Sequence, residues 1–215
     1  MNEIDKKKLI VTYAQSFNSL NLSPLRSGNI SIRHKQKSKD GLLITPSGKR
    51  YESIREKDIV FVDMSGKNYH KSNFPSSEFN FHLDLYKEKH CNAIIHCHSK
   101  YSLILSCFRK NIPSFHYMIA LAGGNDIACA KYELFGTKDL SNSIIKAMIN
   151  RKACLLSNHG QITIGNNIHE AFELAQEVEF LCECYYKCIL IGQPEVISKN
   201  EMQKVLDKIN NYKKN

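Results

Sequence analysis

The spacing of apolar residues divides the chain into a leading helix, a run of short strands and a more helical second half. Six apolar residues recur at the spacing of one helix face and predict an amphipathic helix that ends between 21 and 24: Leu9, Ile10, Tyr13, Ala14, Phe17 and Leu20. Runs rich in branched residues then alternate with turn-forming Gly, Ser, Asp and Pro. We therefore predict strands at 30–32, 42–44 and 59–62.

A second helix is predicted within SSEFNFHLDLYKEKH, where Ser76 is the expected N-cap and His82 has the spacing of a packing residue. This interpretation places Glu78 in the first helical turn. Further along the chain, the pattern predicts a strand at 93–98, a hairpin at 153–157 and 161–164, and helices at 101–108, 139–150, 168–189 and around 202–209.

The order of these elements indicates an α/β sandwich around a mixed or antiparallel sheet. The turns between the early strands are too short for helical crossovers, so at least those strands should pair antiparallel. A length of 215 residues suits one domain, and we expect a single domain over residues 1–215.

Composition narrows the class of protein and its partners. The chain has no apolar stretch long enough for a membrane span and no signal-peptide core at its start, so we expect a cytoplasmic protein without membrane association. Its eight cysteines fit reduced, packed thiols. The net charge of +9 suggests an anionic partner. Phosphorylated metabolites, nucleic acid and anionic membrane are all candidates, and the charge alone does not choose among them. The lysines are scattered and lack the interleaved aromatic residues of a nucleic-acid surface, so we expect no nucleic-acid partner, and each cluster is more often simply a solvated surface.

Two histidines end an apolar strand in AIIHCHS and form the strongest chemical signal in the sequence. Side chains alternate along a strand, so His96 and His98 should point to one side and Cys97 to the other. His159 in LLSNHGQ is the best third ligand, since it follows a predicted strand and precedes a glycine that permits a tight turn. Three histidines leave a coordination position open, which is typical of a catalytic metal.

Three short turns are candidate phosphate sites: Ser27-Gly28-Asn29, Ser47-Gly48 and Ser76-Ser77. Each can offer backbone N–H groups and hydroxyls, and the last precedes a predicted helix whose dipole favours an anion. Taken alone, each is more often simply a turn.

Sequence blocks along nearly the whole chain resemble the class II aldolase/adducin family, most closely its L-fuculose-phosphate aldolase branch. The resemblance lies in SGNISIR, GLLITPSGKRYE, DIVFVD, FPSSEFNFHLDLY, IIHCHS, NRKACLLSNHG and AQEVEFLCECYY. The stretch IPSFHYMIALAGGNDIACAKYELFGTKDLS is more specific and is similar to the aldolases rather than to related epimerases or dehydratases.

This resemblance implies a three-layer α/β/α sandwich with a mostly antiparallel central sheet. It also implies a homotetramer with active sites at subunit boundaries. One zinc ion per subunit, or another divalent ion, would be bound by His96, His98 and His159. Glu78 would be the acid/base and, without substrate, a fourth ligand.

The resemblance assigns the substrate contacts as well. The donor phosphate would rest on Gly28, Asn29, Ser47, Gly48, Ser76 and Ser77. Tyr117 would assist proton transfer, Phe135 would lie near the aldehyde end, and Tyr212 would belong to a mobile C-terminal segment. Arg26 stands where the aldolases usually have threonine, so it either strengthens the phosphate contact or points outward.

The implied reaction is the cleavage of a ketose 1-phosphate, with L-fuculose 1-phosphate giving dihydroxyacetone phosphate and L-lactaldehyde. For its proton transfer, Glu78 is expected to have a raised pKa in a partly desolvated pocket. One alternative is a pentulose-phosphate 4-epimerase of the ribulose 5-phosphate type, and a methylthioribulose-phosphate dehydratase is more distant. A non-catalytic interaction module, as in the adducin branch, is the alternative from another class of protein.

Overall fold

The computed structural model describes residues 1–212 and arranges them as one seven-stranded sheet with helices on both faces. The strands are β1 (Asn29–Gln36), β2 (Lys39–Ile44), β3 (Val60–Asp63), β4 (Ala93–Cys97), β5 (Ala128–Ala130), β6 (Ala153–Leu156) and β7 (Gly160–Gly165). The helices are α1 (Glu3–Ser19), α2 (Phe79–Glu88), α3 (Lys100–Ser106), α4 (Lys138–Ala147), α5 (Ile168–Ile191) and α6 (Lys199–Tyr212). Among these described helices, none is long and apolar enough to cross a membrane.

The strand order is β3-β2-β1-β4-β7-β6-β5. All neighbours pair antiparallel except β5 and β6, which are parallel. The prediction of a mostly antiparallel sheet is therefore confirmed. The pairing of β4 with both β1 and β7 matters most for function, because it places the end of β4 in the middle of the sheet.

The described residues form three apolar clusters between the sheet and its helices, and the third joins α3, α5 and α6 to β6. Helices α1 and α5 cover one face, where Phe17 and Phe172 pack with Ile95 of β4. Helices α2 and α4 cover the other, where Leu85 packs on Ile94. Successive side chains of β4 therefore point to opposite faces of the sheet and pack against helices on each face. This arrangement confirms the three-layer sandwich.

Some boundaries differ from the sequence-based expectation. Helix α1 ends at Ser19, and Asn21 takes a positive φ of 56°, so the chain turns earlier than expected. The assignment of Ser76 as the N-cap of α2 is wrong, because the helix begins at Phe79 and Glu78 occupies the N-cap. Strand β5 was not predicted, since its three residues are too few to show a period.

Candidate metal centre and active site

Three histidines from distant parts of the chain meet at one point beside the end of β4. His96 lies in β4, His98 follows it directly, and His159 lies in the turn between β6 and β7. The Nε2 atoms of His96 and His98 are 3.0 Å apart. The ring centroid of His159 lies 4.8 Å from the ring centroid of His96 and 4.9 Å from that of His98. The structure therefore brings together the three predicted nitrogen ligands.

Glu78 completes the cluster from the N-terminus of α2. Its Oε2 lies 3.3 Å from Nε2 of His96, and its Oε1 lies 3.2 Å from Nε2 of His159. One donor atom from each of the four residues can be chosen so that all lie within 4.8 Å of one another. The side chains thus form a potential metal-binding cluster with one oxygen and three nitrogen donors, a set that suits zinc.

The donor atoms also show that a cation fits this cluster. Oε1 of Glu78 is buried and accepts no hydrogen bond from any residue in the described range 1–212. Nδ1 of His96 lies 2.8 Å from the backbone carbonyl of Gln161, so this nitrogen donates and the Nε2 lone pair faces the cluster. A buried oxygen without a partner beside imidazole lone pairs is what a bound cation would satisfy.

Burial and charge set the protonation of the cluster. Burial lowers the pKa of His98 to about 3, so this ring is neutral and available as a ligand. Burial acts to raise the pKa of Glu78, but interactions with His96 and His159 outweigh it and hold the pKa well below its ordinary value. The expectation of a raised pKa for Glu78 is therefore wrong, because the imidazoles stabilise its charged form.

Two glycines let neighbouring turns approach the end of β4. A Cβ on Gly28, whose φ is +79°, would lie 2.5 Å from the carbonyl oxygen of His96. A Cβ on Gly160, whose φ is +152°, would lie 2.4 Å from the carbonyl oxygen of Cys97. Only glycine fits both the backbone angle and the space, which holds the Gly28 turn and His159 close to the cluster.

A cavity of about 440 Å³ opens beside the cluster and is lined by the candidate phosphate residues. Its walls include Gly28, Asn29, Ser47, Gly48, Ser76, Ser77, Arg26, Phe135, Tyr132, Glu78, His98 and His159. Arg26 lines it rather than pointing away, and its guanidinium donates a hydrogen bond of 3.2 Å to the carbonyl of Gly48. The three predicted turns therefore converge on one space next to the metal-binding cluster.

One predicted site residue, Tyr117, is not brought to this cavity within the described chain. Tyr117 begins a 3-10 helix, Tyr117–Ala122, has 50% of its surface exposed and is not among the residues that line the cavity. The side chain of Tyr212 lies outside the described part of the structure. Conversely, sequence reasoning missed Tyr132, which lines the cavity three residues before Phe135. The shared YELFGT stretch contained that signal, but an irregular segment gave no basis for choosing among its residues.

Known proteins match this chain along most of its length. The family model described as Class II Aldolase and Adducin N-terminal domain matches residues 8–186. The chain belongs to this family. A 5-methylthioribulose-1-phosphate/5-deoxyribulose-1-phosphate aldolase of Rhodospirillum rubrum is 43% identical over 204 residues, which are 94% of this chain and 90% of the relative. The L-fuculose phosphate aldolase of Escherichia coli K12 is 42% identical over 195 residues, 90% and 88% of the two chains.

A solved structure of an L-fuculose 1-phosphate aldolase agrees with the fold of this class II aldolase family member. The two structures superpose with a TM-score of 0.90 at 35% identity, and the match covers 96% of each chain. These relatives are sugar-phosphate aldolases, so the prediction of a lyase of the class II aldolase type is confirmed. Class II aldolases are metal-dependent, in agreement with the cluster of Glu78 and three histidines.

Proposed function

We propose that this class II aldolase cleaves a ketose 1-phosphate between C3 and C4 and that L-fuculose 1-phosphate is its substrate. The products would be dihydroxyacetone phosphate and L-lactaldehyde. The observation that carries the proposal is the position of the Glu78, His96, His98 and His159 cluster at the end of a cavity lined by three Ser/Gly/Asn turns. A divalent cation held there, which we take to be one zinc ion per chain, would act as a Lewis acid that stabilises the negative charge released on bond cleavage.

The three turns bind the phosphate in this account. Ser47, Gly48 and Ser77 are exposed on the cavity wall, and Gly28 presents backbone beside them. Arg26 adds a full positive charge, held beside the second turn by its bond to Gly48. A phosphate fixed at this end would direct the ketose carbonyl toward the histidines. Binding of the phosphate would thereby orient the C3–C4 bond for cleavage.

Glu78 carries the proton of the three-carbon fragment in this mechanism. Its two oxygens differ, since Oε2 accepts a hydrogen bond of 3.0 Å from the amide of Asn29 whereas Oε1 accepts none within residues 1–212. Oε1 is therefore the oxygen that would take up the proton released by the C4 hydroxyl as the C3–C4 bond breaks and the aldehyde forms, and would then deliver it to C3. In the reverse direction it would remove the proton from C3. The low pKa of this carboxyl makes the removal step depend on close positioning more than on basicity.

Aromatic residues define the aldehyde end of the cavity. Tyr132 and Phe135 line it while 48% and 62% of their surfaces remain exposed. Exposed rings at the mouth of a polar cavity suit an apolar terminal group on the substrate, such as the methyl of a deoxy sugar. L-Fuculose 1-phosphate has such a methyl group.

A homotetramer would bring a second copy's Tyr117 into each site, as the family resemblance implies. This arrangement is supported by the exposed position of Tyr117 and by the absence of its side chain from the walls described in this chain's cavity. Tyr117 of one copy would then assist proton transfer at the site of its neighbour. A single domain over residues 1–215 and a cytoplasmic location remain predictions.

A second candidate substrate is 5-deoxyribulose 1-phosphate or its 5-methylthio counterpart. The relative from Rhodospirillum rubrum, named for those two substrates, supports this candidate. The same bond cleavage would release dihydroxyacetone phosphate, with acetaldehyde or methylthioacetaldehyde as the second product. Both aldehydes are apolar at the end that would face Tyr132 and Phe135.

Product analysis separates these functions. Purified protein with zinc should release dihydroxyacetone phosphate, measured by its enzymatic reduction with NADH, and kcat/KM should be highest for L-fuculose 1-phosphate. A higher value for 5-deoxyribulose 1-phosphate would favour the second candidate. Conversion of ribulose 5-phosphate into its 4-epimer, without triose release from either ketose 1-phosphate, would identify the epimerase instead.

A further inference from the structure

A continuous series of buried polar side chains leads from Glu78 into the layer between the sheet and α2. Asn29 and Ser31 lie on β1, His82 and Tyr86 lie on α2, and each is at most 3% exposed. Asn29 lies 3.0 Å from Oε2 of Glu78, and its Oδ1 contacts Nε2 of His82. Ser31 Oγ lies 2.7 Å from Nδ1 of His82 and 2.8 Å from the hydroxyl of Tyr86. Each member therefore contacts the next.

The chemistry at Glu78 fixes the direction of every hydrogen bond in this series. A carboxylate only accepts, so Asn29 must turn its NH2 group toward Glu78 and its Oδ1 toward His82. His82 must then donate from Nε2. With the ring neutral, Nδ1 is an acceptor, which requires Ser31 to donate to it.

The far end of the series is the hydroxyl of Tyr86, which can act as its first hydrogen-bond donor. Tyr86 donates to Ser31, and burial raises the pKa of its hydroxyl well above the ordinary value, so the proton stays in place. Burial also lowers the pKa of His82 to about 3, which keeps the ring neutral. All donors thus point in one direction, from Tyr86 toward Glu78.

We propose that His82 is a positioning residue of the aldolase, which as the Nε2–H tautomer holds the Asn29 amide in the orientation that donates to Oε2 of Glu78. This inference rests on the proposed function, because it concerns the proton transfer assigned to Glu78. It replaces the expectation that His82 only packs. Without the His82 donor, the Asn29 amide can rotate and turn its Oδ1 toward Glu78. The two oxygens would then repel each other and displace the Glu78 carboxylate.

The hydrogen bonds of Asn29 indicate which kinetic constant should respond. Its two amide hydrogens go to Oε2 of Glu78 and to Oγ of Ser76, each at 3.0 Å, so the described side chain has no hydrogen left for a phosphate. A change in its orientation should therefore disturb Glu78 more than phosphate binding. We expect the effect in kcat, with KM close to that of the unchanged protein.

The test compares two variants of the zinc-loaded enzyme. His82→Phe keeps a ring of similar size and removes the donor, whereas His82→Gln offers an amide N–H to Asn29. We expect kcat to fall about 10- to 100-fold in His82→Phe and to recover most of its value in His82→Gln. Zinc content and melting temperature are measured for both. Thr163→Val is the matched control, since it removes a buried hydroxyl whose hydrogen bond, within the described residues, goes to the Ala171 carbonyl, and it should leave kcat unchanged.

Two further measurements keep the proposal testable if His82→Phe does not fold. Ser31→Ala removes the hydroxyl that fixes the tautomer and should lower kcat by a smaller factor. In nitrogen-15 spectra of histidine-labelled enzyme, the signal lost in His82→Gln should report a protonated Nε2 and an unprotonated Nδ1.

Three results would overturn the proposal: a protonated Nδ1 on His82, an unchanged kcat in His82→Phe, or a fall in kcat that only follows lost zinc. An inactive parent enzyme would instead count against the proposed function, so the two failures are distinguishable.

Discussion

The Nε2 atoms of His96 and His98 lie 3.0 Å apart and face the same point as Nε2 of His159. Two imidazole nitrogens at this distance can share one hydrogen, or both lone pairs can face a bound cation; with Nδ1 of His96 donating to the Gln161 carbonyl, its Nε2 has a lone pair free for either. Burial favours the neutral ring at His98, because it lowers the pKa of that ring to about 3 and so disfavours its charged form. This geometry supports the proposal that the three histidines hold the metal and that Glu78 transfers the proton.

This division predicts different outcomes for two substitutions. Glu78→Gln should retain close to the normal zinc content, because the three histidines remain, but kcat should fall by about 10²- to 10⁴-fold without the proton carrier. His159→Ala should lose both zinc and activity. Metal analysis of the purified variants and triose release provide the comparison. Equal zinc content together with equal activity in the two variants would refute the assigned roles.

The cluster of three histidines was predictable because much of its geometry is local. One residue between His96 and His98 on a strand guarantees a common side, and a buried Cys97 on the opposite face completes the alternation. His159 also followed from local pattern, since a glycine after a strand indicated the turn of a hairpin. The pairing of β4 with β7, which brings that turn to His96, is a property of the whole sheet.

Other features of the site depend on distant contacts that a sequence pattern does not encode. His82 has the spacing of a core residue, and the role proposed for it rests on its hydrogen bonds to Ser31 and Asn29, more than fifty residues away. The pKa of Glu78 was expected in the wrong direction, because burial and the nearby imidazoles act in opposite senses. Which effect prevails depends on distances that only the fold provides.

Arg26 should contribute to phosphate binding. Removing its charge in Arg26→Ala should raise KM for a ketose 1-phosphate by about 10-fold or more, because a charge-assisted hydrogen bond is lost, and should leave kcat nearly unchanged. Steady-state kinetics measure both constants. Arg55→Ala is the matched control, since Arg55 lines a separate cavity beside Glu52 and Glu56. An equal rise in KM for the two variants would contradict a specific role of Arg26.

Asp63 should make stability depend on acidity below pH 4. Its carboxylate accepts bonds from Ser65, Lys67 and Tyr69, with the Ser65 hydroxyl first in effect, and these hold its pKa well below the ordinary value. A lowered folded-state pKa stabilises the protein above the unfolded-state value of about 4 and loses that effect as the pH falls further. The difference in melting temperature between the parent and Asp63→Asn should therefore be largest near pH 7 and shrink toward pH 3. A constant difference would exclude this linkage.

Mixed oligomers test whether Tyr117 acts in a neighbouring copy. Glu78→Gln and Tyr117→Phe should each be weakly active alone. When the two chains are co-expressed and assemble together, some sites combine an intact Glu78 from one chain with an intact Tyr117 from the other, and activity should rise above both parents. Light scattering should show four chains of 24.6 kDa each. Activity of the mixture equal to the average of the two variants would show that each chain uses its own tyrosine.

The most direct test of the metal centre is a titration of zinc content against turnover. Chelator-treated protein, freed of metal and shown to remain folded by circular dichroism, should release no dihydroxyacetone phosphate from L-fuculose 1-phosphate. Stepwise addition of zinc should restore kcat in proportion to bound metal and reach its maximum at one ion per chain. Full turnover by the metal-free protein would contradict the account.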